Sequence, residues 1–133
     1  MPQQLQQERH THSCIKFGDS IIVSGGVNPQ VEYRYDNLLN STELLNVEDL
    51  TSITNANMSM KEVRSRHGLV LVHYNSEPTI LAIGGISAWG TVNSIEIWHP
   101  SNTSWTISPN LKLSKPRAGF GFFPVPTRLL CSP

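Results

Sequence analysis

The sequence predicts an all-β fold built from repeated units, and three observations carry that expectation. One pattern recurs along the chain: an Arg-His, an apolar run ended by Gly-Gly, then Asn-Ser-x-Glu. The apolar runs are short and bounded by turn residues, as strands are. No stretch holds a helical period; Val47 to Lys61 comes nearest and lacks a consistent apolar face.

The first copy reads Arg9-His10, Ile21-Ile22-Val23-Ser24-Gly25-Gly26 and Asn40-Ser41-Thr42-Glu43. The second reads Arg66-His67, Ile80-Leu81-Ala82-Ile83-Gly84-Gly85 and Asn93-Ser94-Ile95-Glu96, and a third opens at Arg117-Ala118-Gly119-Phe120 and then runs out. Arg9 to Arg66 spans 57 positions, Gly25 to Gly84 spans 59 and Glu43 to Glu96 spans 53. The mismatch is local: Gly26 to Asn40 is 14 positions and Gly85 to Asn93 is 8, so six residues were gained or lost after one Gly-Gly pair. Loops tolerate such changes and strands do not.

Each element follows from its residues. In the first copy, strands are expected near 12–17, 20–25, 42–47 and 50–54. In the second, Leu69–Val72 and Ile80–Ile83 are continuous apolar runs joined by the turn residues Asn75–Pro78. Continuous runs suit strands covered on both faces. Ser94 to Trp98 alternates, Pro100-Ser101-Asn102 is a turn, and Trp105-Thr106-Ile107 is a short outer strand. Cys14 is expected as a small buried apolar residue. The glycine pairs lack the following helix that a phosphate cradle needs, so they are expected to serve positive φ or close backbone approach.

These features resemble the kelch repeat, a four-stranded blade of a β-propeller with units of about 50 residues. The resemblance rests on Arg64-Ser65-Arg66-His67-Gly68, the paired glycines, the Asn93–Trp98 strand and Trp105, and covers residues 9–123. It implies an incomplete propeller: a polar disordered leader at 1–8, blades at 9–65 and 66–116, and a truncated third blade at 117–133. Two units and a stub do not close a ring of roughly four to eight blades. Gly25, Gly26, Gly84, Gly85, Glu43, Glu96, Trp98 and Trp105 are expected as structural repeat residues. Leu50 or Ile53 is expected to stand in the first unit where Trp105 stands in the second.

Composition bounds the function. Ten basic and ten acidic residues give zero net charge, which offers no electrostatic case for nucleic acid or an anionic membrane. No apolar run approaches the ~18 residues of a membrane span. Met1–Glu8 carries no basic start followed by an apolar core, and a cytoplasmic location is expected. His10 and His12 share a strand face without a third ligand of fitting spacing, and no nucleophile motif occurs, so no metal, cofactor or enzyme activity is expected.

What remains is a protein-interaction module. The resemblance implies a binding face ringed by the post-glycine loops and the turns bearing the repeat arginines. Arg9, Arg66 and Arg117 are the matching positions, joined by Tyr33, Arg34, Tyr35 and Asp36 in the first loop and Ser87, Ala88 and Trp89 in the second. Exposed Arg, Tyr and Trp are enriched at binding hot spots. Two roles are open to a repeat arginine: pairing with acidic groups of a partner, or tying neighbouring blades through backbone carbonyls. The expected partner is another protein or a peptide segment, with self-association or a larger parent chain completing the ring. By resemblance, one version is substrate recognition for a Cullin-type ubiquitin ligase. Others are the kelch tail of an enzyme such as a tRNA-modifying methyltransferase, or an actin-linking scaffold.

Overall fold

The computed structural model describes residues 5–32, 36–54, 58–102, 104–121 and 123–124. Ten strands form: β1 (Ser13–Phe17), β2 (Ser20–Ser24), β3 (Thr42–Asn46), β4 (Ser52–Thr54), β5 (Gly68–Tyr74), β6 (Glu77–Ile83), β7 (Ile86–Ser87), β8 (Gly90–Thr91), β9 (Ser94–Trp98) and β10 (Thr106–Lys112). The fold is all-β, with no α-helix among the described residues. Two four-stranded antiparallel sheets, β1-β2-β3-β4 and β5-β6-β9-β10, share one meander order, and β7-β8 is a small hairpin set between β6 and β9.

Turn chemistry sets the registers. Gly18 at φ 57° opens the two-residue β1–β2 turn, and Phe17 pairs with Ser20. Asn75 and Ser76 both take positive φ between β5 and β6, the geometry of a type I′ hairpin. Asn46 Oδ1 accepts from the Glu48 N–H at 2.8 Å and starts the β3–β4 turn.

The core lies between the two sheets. Ile22 joins Leu69, Ile80, Ala82, Trp98 and Trp105, with Met58 and Met60 from the segment linking the units; Ile15, Phe17, Leu44 and Leu71 pack against them. Phe17 meets Trp98 edge-on at 5.7 Å between ring centroids. Ile15, Ile22 and Leu44 are cross-strand partners and so share the face of the first sheet that looks at the second.

The opposite face of the first sheet is more polar, and two expectations are corrected there. Cys14 is exposed rather than buried, because it points away from the second unit. The register counterpart of Trp105 is Ser52, since Ile53 and Thr106 are matched against Leu44 and Ile97; Leu50 and Ile53 stay exposed. Among the described residues no further sheet packs on that face to make a core that a tryptophan would fill. Of the leader expected at 1–8, residues 1–4 lie outside the described residues, and Gln6 and Gln7 are hydrogen-bonded to the first sheet. The Gln6 N–H donates to Glu43 Oε2 at 2.8 Å and the Gln6 side chain donates to the Ser52 carbonyl at 2.6 Å.

Candidate functional site

Within each unit an arginine enters from a connecting segment and is buried against the third strand. Arg9 Nη1 donates to the carbonyls of Gly25 and Ser41, and Nη2 donates to Ser41 Oγ and to Glu43 Oε1 at 2.6 Å. Arg64 Nη1 donates to the carbonyls of Gly84 and Ser94, Nη2 to Ser94 Oγ and Glu62, and Nε to Glu96 Oε1 at 3.1 Å. The side chains of Arg9, Arg64, Glu43 and Glu96 are all fully buried. Each carboxylate also accepts two successive backbone N–H groups: Gln6 and Gln7 for Glu43, Lys61 and Glu62 for Glu96. Burial pushes the Glu43 carboxyl up, but hydrogen bonds from Ser52, the Gln6 N–H and Arg9 outweigh it and hold the group below the usual carboxylate range.

These bonds correct the repeat register. The partner of Arg9 in the second unit is Arg64, not Arg66. Gly26 N–H donates to the Arg64 carbonyl at 2.7 Å and Gly85 N–H to the Arg117 carbonyl at 2.8 Å, so Arg9, Arg64 and Arg117 form the series. Arg66 instead aligns with Thr11 and Gly119. All three have positive φ (54°, 51° and 65°), and Arg66 N–H donates to the Thr11 carbonyl while Gly119 N–H donates to the Arg66 carbonyl. Arg9 is thus a buried tie with no surface left for a partner.

The turns at 10–11 and 65–66 meet the post-glycine loops around an open hollow of about 1030 Å³. Val27, Leu38 and Ile86 give it apolar walls, Asp36 and Arg66 bring opposite charges, and Ser87, Ala88 and Trp89 form one lip. Trp89 is 98% exposed and stands in solvent on that lip. Arg66 is exposed, and its guanidinium has no hydrogen-bond or ion-pair partner among the described residues. Tyr33, Arg34 and Tyr35 lie outside the described residues. Arg117 is exposed and does not line the hollow.

The glycine pairs hold the connectors close. A Cβ on Gly25 (φ 62°) would strike the Arg64 carbonyl and lie 2.7 Å from His67 Cε1, and one on Gly84 (φ 60°) would lie 2.6 Å from the Arg117 carbonyl. Trp98 and Trp105 are buried. His67 is sealed between the units with Nε2 2.9 Å from Ser24 Oγ; burial, then the charges of Arg64 and His12, push its pKa down to about 3. Among the described residues no three His, Cys, Asp or Glu side chains group as metal ligands.

The chain matches no protein-family model and no curated protein.

Proposed function

We propose that the chain is a segment of kelch-type β-propeller and acts as a protein-interaction module, with the hollow between the two units as its peptide-binding face. Support comes from the pairing of an unpartnered Arg66 with a fully solvated Trp89 on the rim of one concave, partly apolar surface. An indole in water beside a free guanidinium is the composition of a hot spot that lacks its partner. The walls suit an extended peptide carrying a carboxylate for Arg66 and an apolar side chain to lie against Ile86 and Trp89. Substrate recognition for a Cullin-type ubiquitin ligase is the version of this role in which the peptide is an acidic degron.

Displayed peptide libraries panned against the full chain test the reading. Selected peptides are expected to be acidic, and Arg66→Ala and Trp89→Ala are each expected to weaken them about tenfold or more. The melting temperature should not move, because neither side chain is buried. Affinity that ignores both substitutions, or a matching loss of stability in Arg66→Ala, would overturn it.

A further inference from the structure

The hollow divides by charge along the line where the two units meet. Its first-unit half holds Val27 and Leu38, bridged to each other, with Asp36 two residues before Leu38 on the same segment. Its second-unit half holds Ile86, bridged to Ser65, with Arg66 next to Ser65 and Trp89 on the β7–β8 turn. The halves are joined by the Arg66 N–H, which donates to the Thr11 carbonyl at 2.9 Å.

Asp36 and Arg66 are both exposed and do not pair with each other. The Asp36 carboxylate, like the Arg66 guanidinium, has no hydrogen-bond or ion-pair partner among the described residues. The other ionisable side chain among the described residues that line the hollow is His10, bridged to Val27.

Two free charges of opposite sign on one concave surface set a condition that a purely acidic ligand fails. A run of carboxylates satisfies Arg66 but sets a like charge against Asp36, which costs affinity. A segment with one carboxylate and one basic group meets both. Arg66 shares its half with Ile86 and Trp89, so the carboxylate and the apolar anchor of such a segment lie together. Its basic group lies across the junction, over Asp36, and the two charges fix which end of the segment rests on which unit.

We infer that the hollow takes a dipolar peptide segment, its carboxylate at Arg66 and its basic side chain at Asp36, and that Asp36 turns away polyacidic segments. The inference rests on the peptide-binding reading above and narrows it, since the acidic peptides expected there must carry a basic residue as well.

A library of short randomised peptides is panned against the full chain, and the strongest selected peptide is titrated by fluorescence anisotropy. Selected sequences are expected to hold an acidic and a basic residue at a fixed separation. Replacing that basic residue by Gln should weaken binding to the wild-type chain about three- to fivefold, and binding to Asp36→Asn not at all. Asp36→Lys should reverse the preference, so that the peptide with Glu in place of its base binds this variant better than the parent peptide does. Asp36 is exposed and unpartnered among the described residues, so neither variant should move the melting temperature. Selected peptides without a basic residue, or an equal loss on its replacement for wild type and Asp36→Asn, would overturn the inference. The peptide-binding reading would survive that result if Arg66→Ala and Trp89→Ala still weakened the selected peptides. An empty selection, or binding indifferent to both Arg66 and Trp89, overturns the two together.

Discussion

The two buried arginines sit in matched surroundings yet spend their donors differently. Arg9 reaches Glu43 through Nη2, and its Nε is buried without a partner among the described residues. Arg64 turns Nε to Glu96, which frees Nη2 to hold Glu62 as well as Ser94 Oγ. The reason lies in the connectors. Among the described residues, 5–9 pack on one sheet only, whereas residues 58–67 lie between two and are fixed by both: by Gly26 N–H and the Leu39 carbonyl of the first unit, and by Glu96 and the Gly84 and Ile86 carbonyls of the second. The same residue type with the same role is thus a unit's internal tie at one end and the junction of the molecule in the middle.

The largest test of that contrast is to remove each arginine. Arg64→Ala leaves the buried Glu96 carboxylate uncompensated and is expected to cost about 3–5 kcal/mol. Arg9→Ala should cost less, about 2 kcal/mol, because residues 5–9 can lift away and let water reach Glu43 without separating the sheets. Chemical denaturation midpoints measure both. Equal losses would mean that the junction adds nothing to the tie.

The glycines sharpen the same comparison at lower cost. Gly25→Ala drives a Cβ into the carbonyl of Arg64, a residue held by Leu39 of the first unit and by Glu96 and Gly84 of the second, and should cost about 3 kcal/mol. At Gly84 the obstacle is the Arg117 segment, which packs on one sheet alone, with Leu113 Cδ1 at 3.2 Å and Phe120 Cε1 at 3.3 Å. That segment can shift, so Gly84→Ala should cost only the left-handed conformation, about 1–2 kcal/mol. A larger loss at Gly84 than at Gly25 would place the rigid contact at the wrong end.

The strands of both sheets were legible because their apolar runs end at residues that force turns, such as Gly18-Asp19 and Asn75-Ser76. The register of the repeat was not. Arg9-His10-Thr11-His12 aligns with Arg64-Ser65-Arg66-His67 in two ways, and adjacent Arg-His is the more conspicuous match. Only the hydrogen bonds of the Gly26 and Gly85 N–H groups decide between them. The length difference was also half hidden. Ser13 pairs with Ser24 while Gly68 pairs with Ile83, so the second hairpin is four residues longer, and the longer post-glycine loop of the first unit masks it in the overall spacing. Placing the arginine two positions late put a buried tie on the binding face and left Arg64 unnoticed. Cys14 misled for a related reason: the composition of a strand does not say which of its faces lacks a neighbouring sheet.

The smallest effect at neutral pH belongs to the place where the two units differ most in chemistry. His67 lies over Gly25 where Phe120 lies over Gly84, the one an imidazole sealed between sheets and the other a ring at the open end. His67 has a folded pKa near 3 against 6.5 when unfolded, so the unfolded chain binds the extra proton between those values. Stability should therefore be full above about pH 6.5 and fall as pH drops toward 3, with a slope approaching ~1.4 kcal/mol per pH unit. Glu43, its pKa lowered by folding, adds a loss of the same sign further down the acid range, below its unfolded value of 4.5. His67→Phe copies the residue of the open end. It gives up the contact with the buried Ser24 hydroxyl and should cost about 1 kcal/mol at pH 7.5. It also removes the titrating group, so the stability curves of variant and wild type should cross on the way down to pH 4.5, the variant then being the more stable. Urea midpoints taken from pH 8 to pH 4 would show the crossing; parallel curves would mean that His67 takes up its proton without disturbing the junction, and that the seal around it is looser than its contacts with Gly25, Gly85 and Ser24 imply.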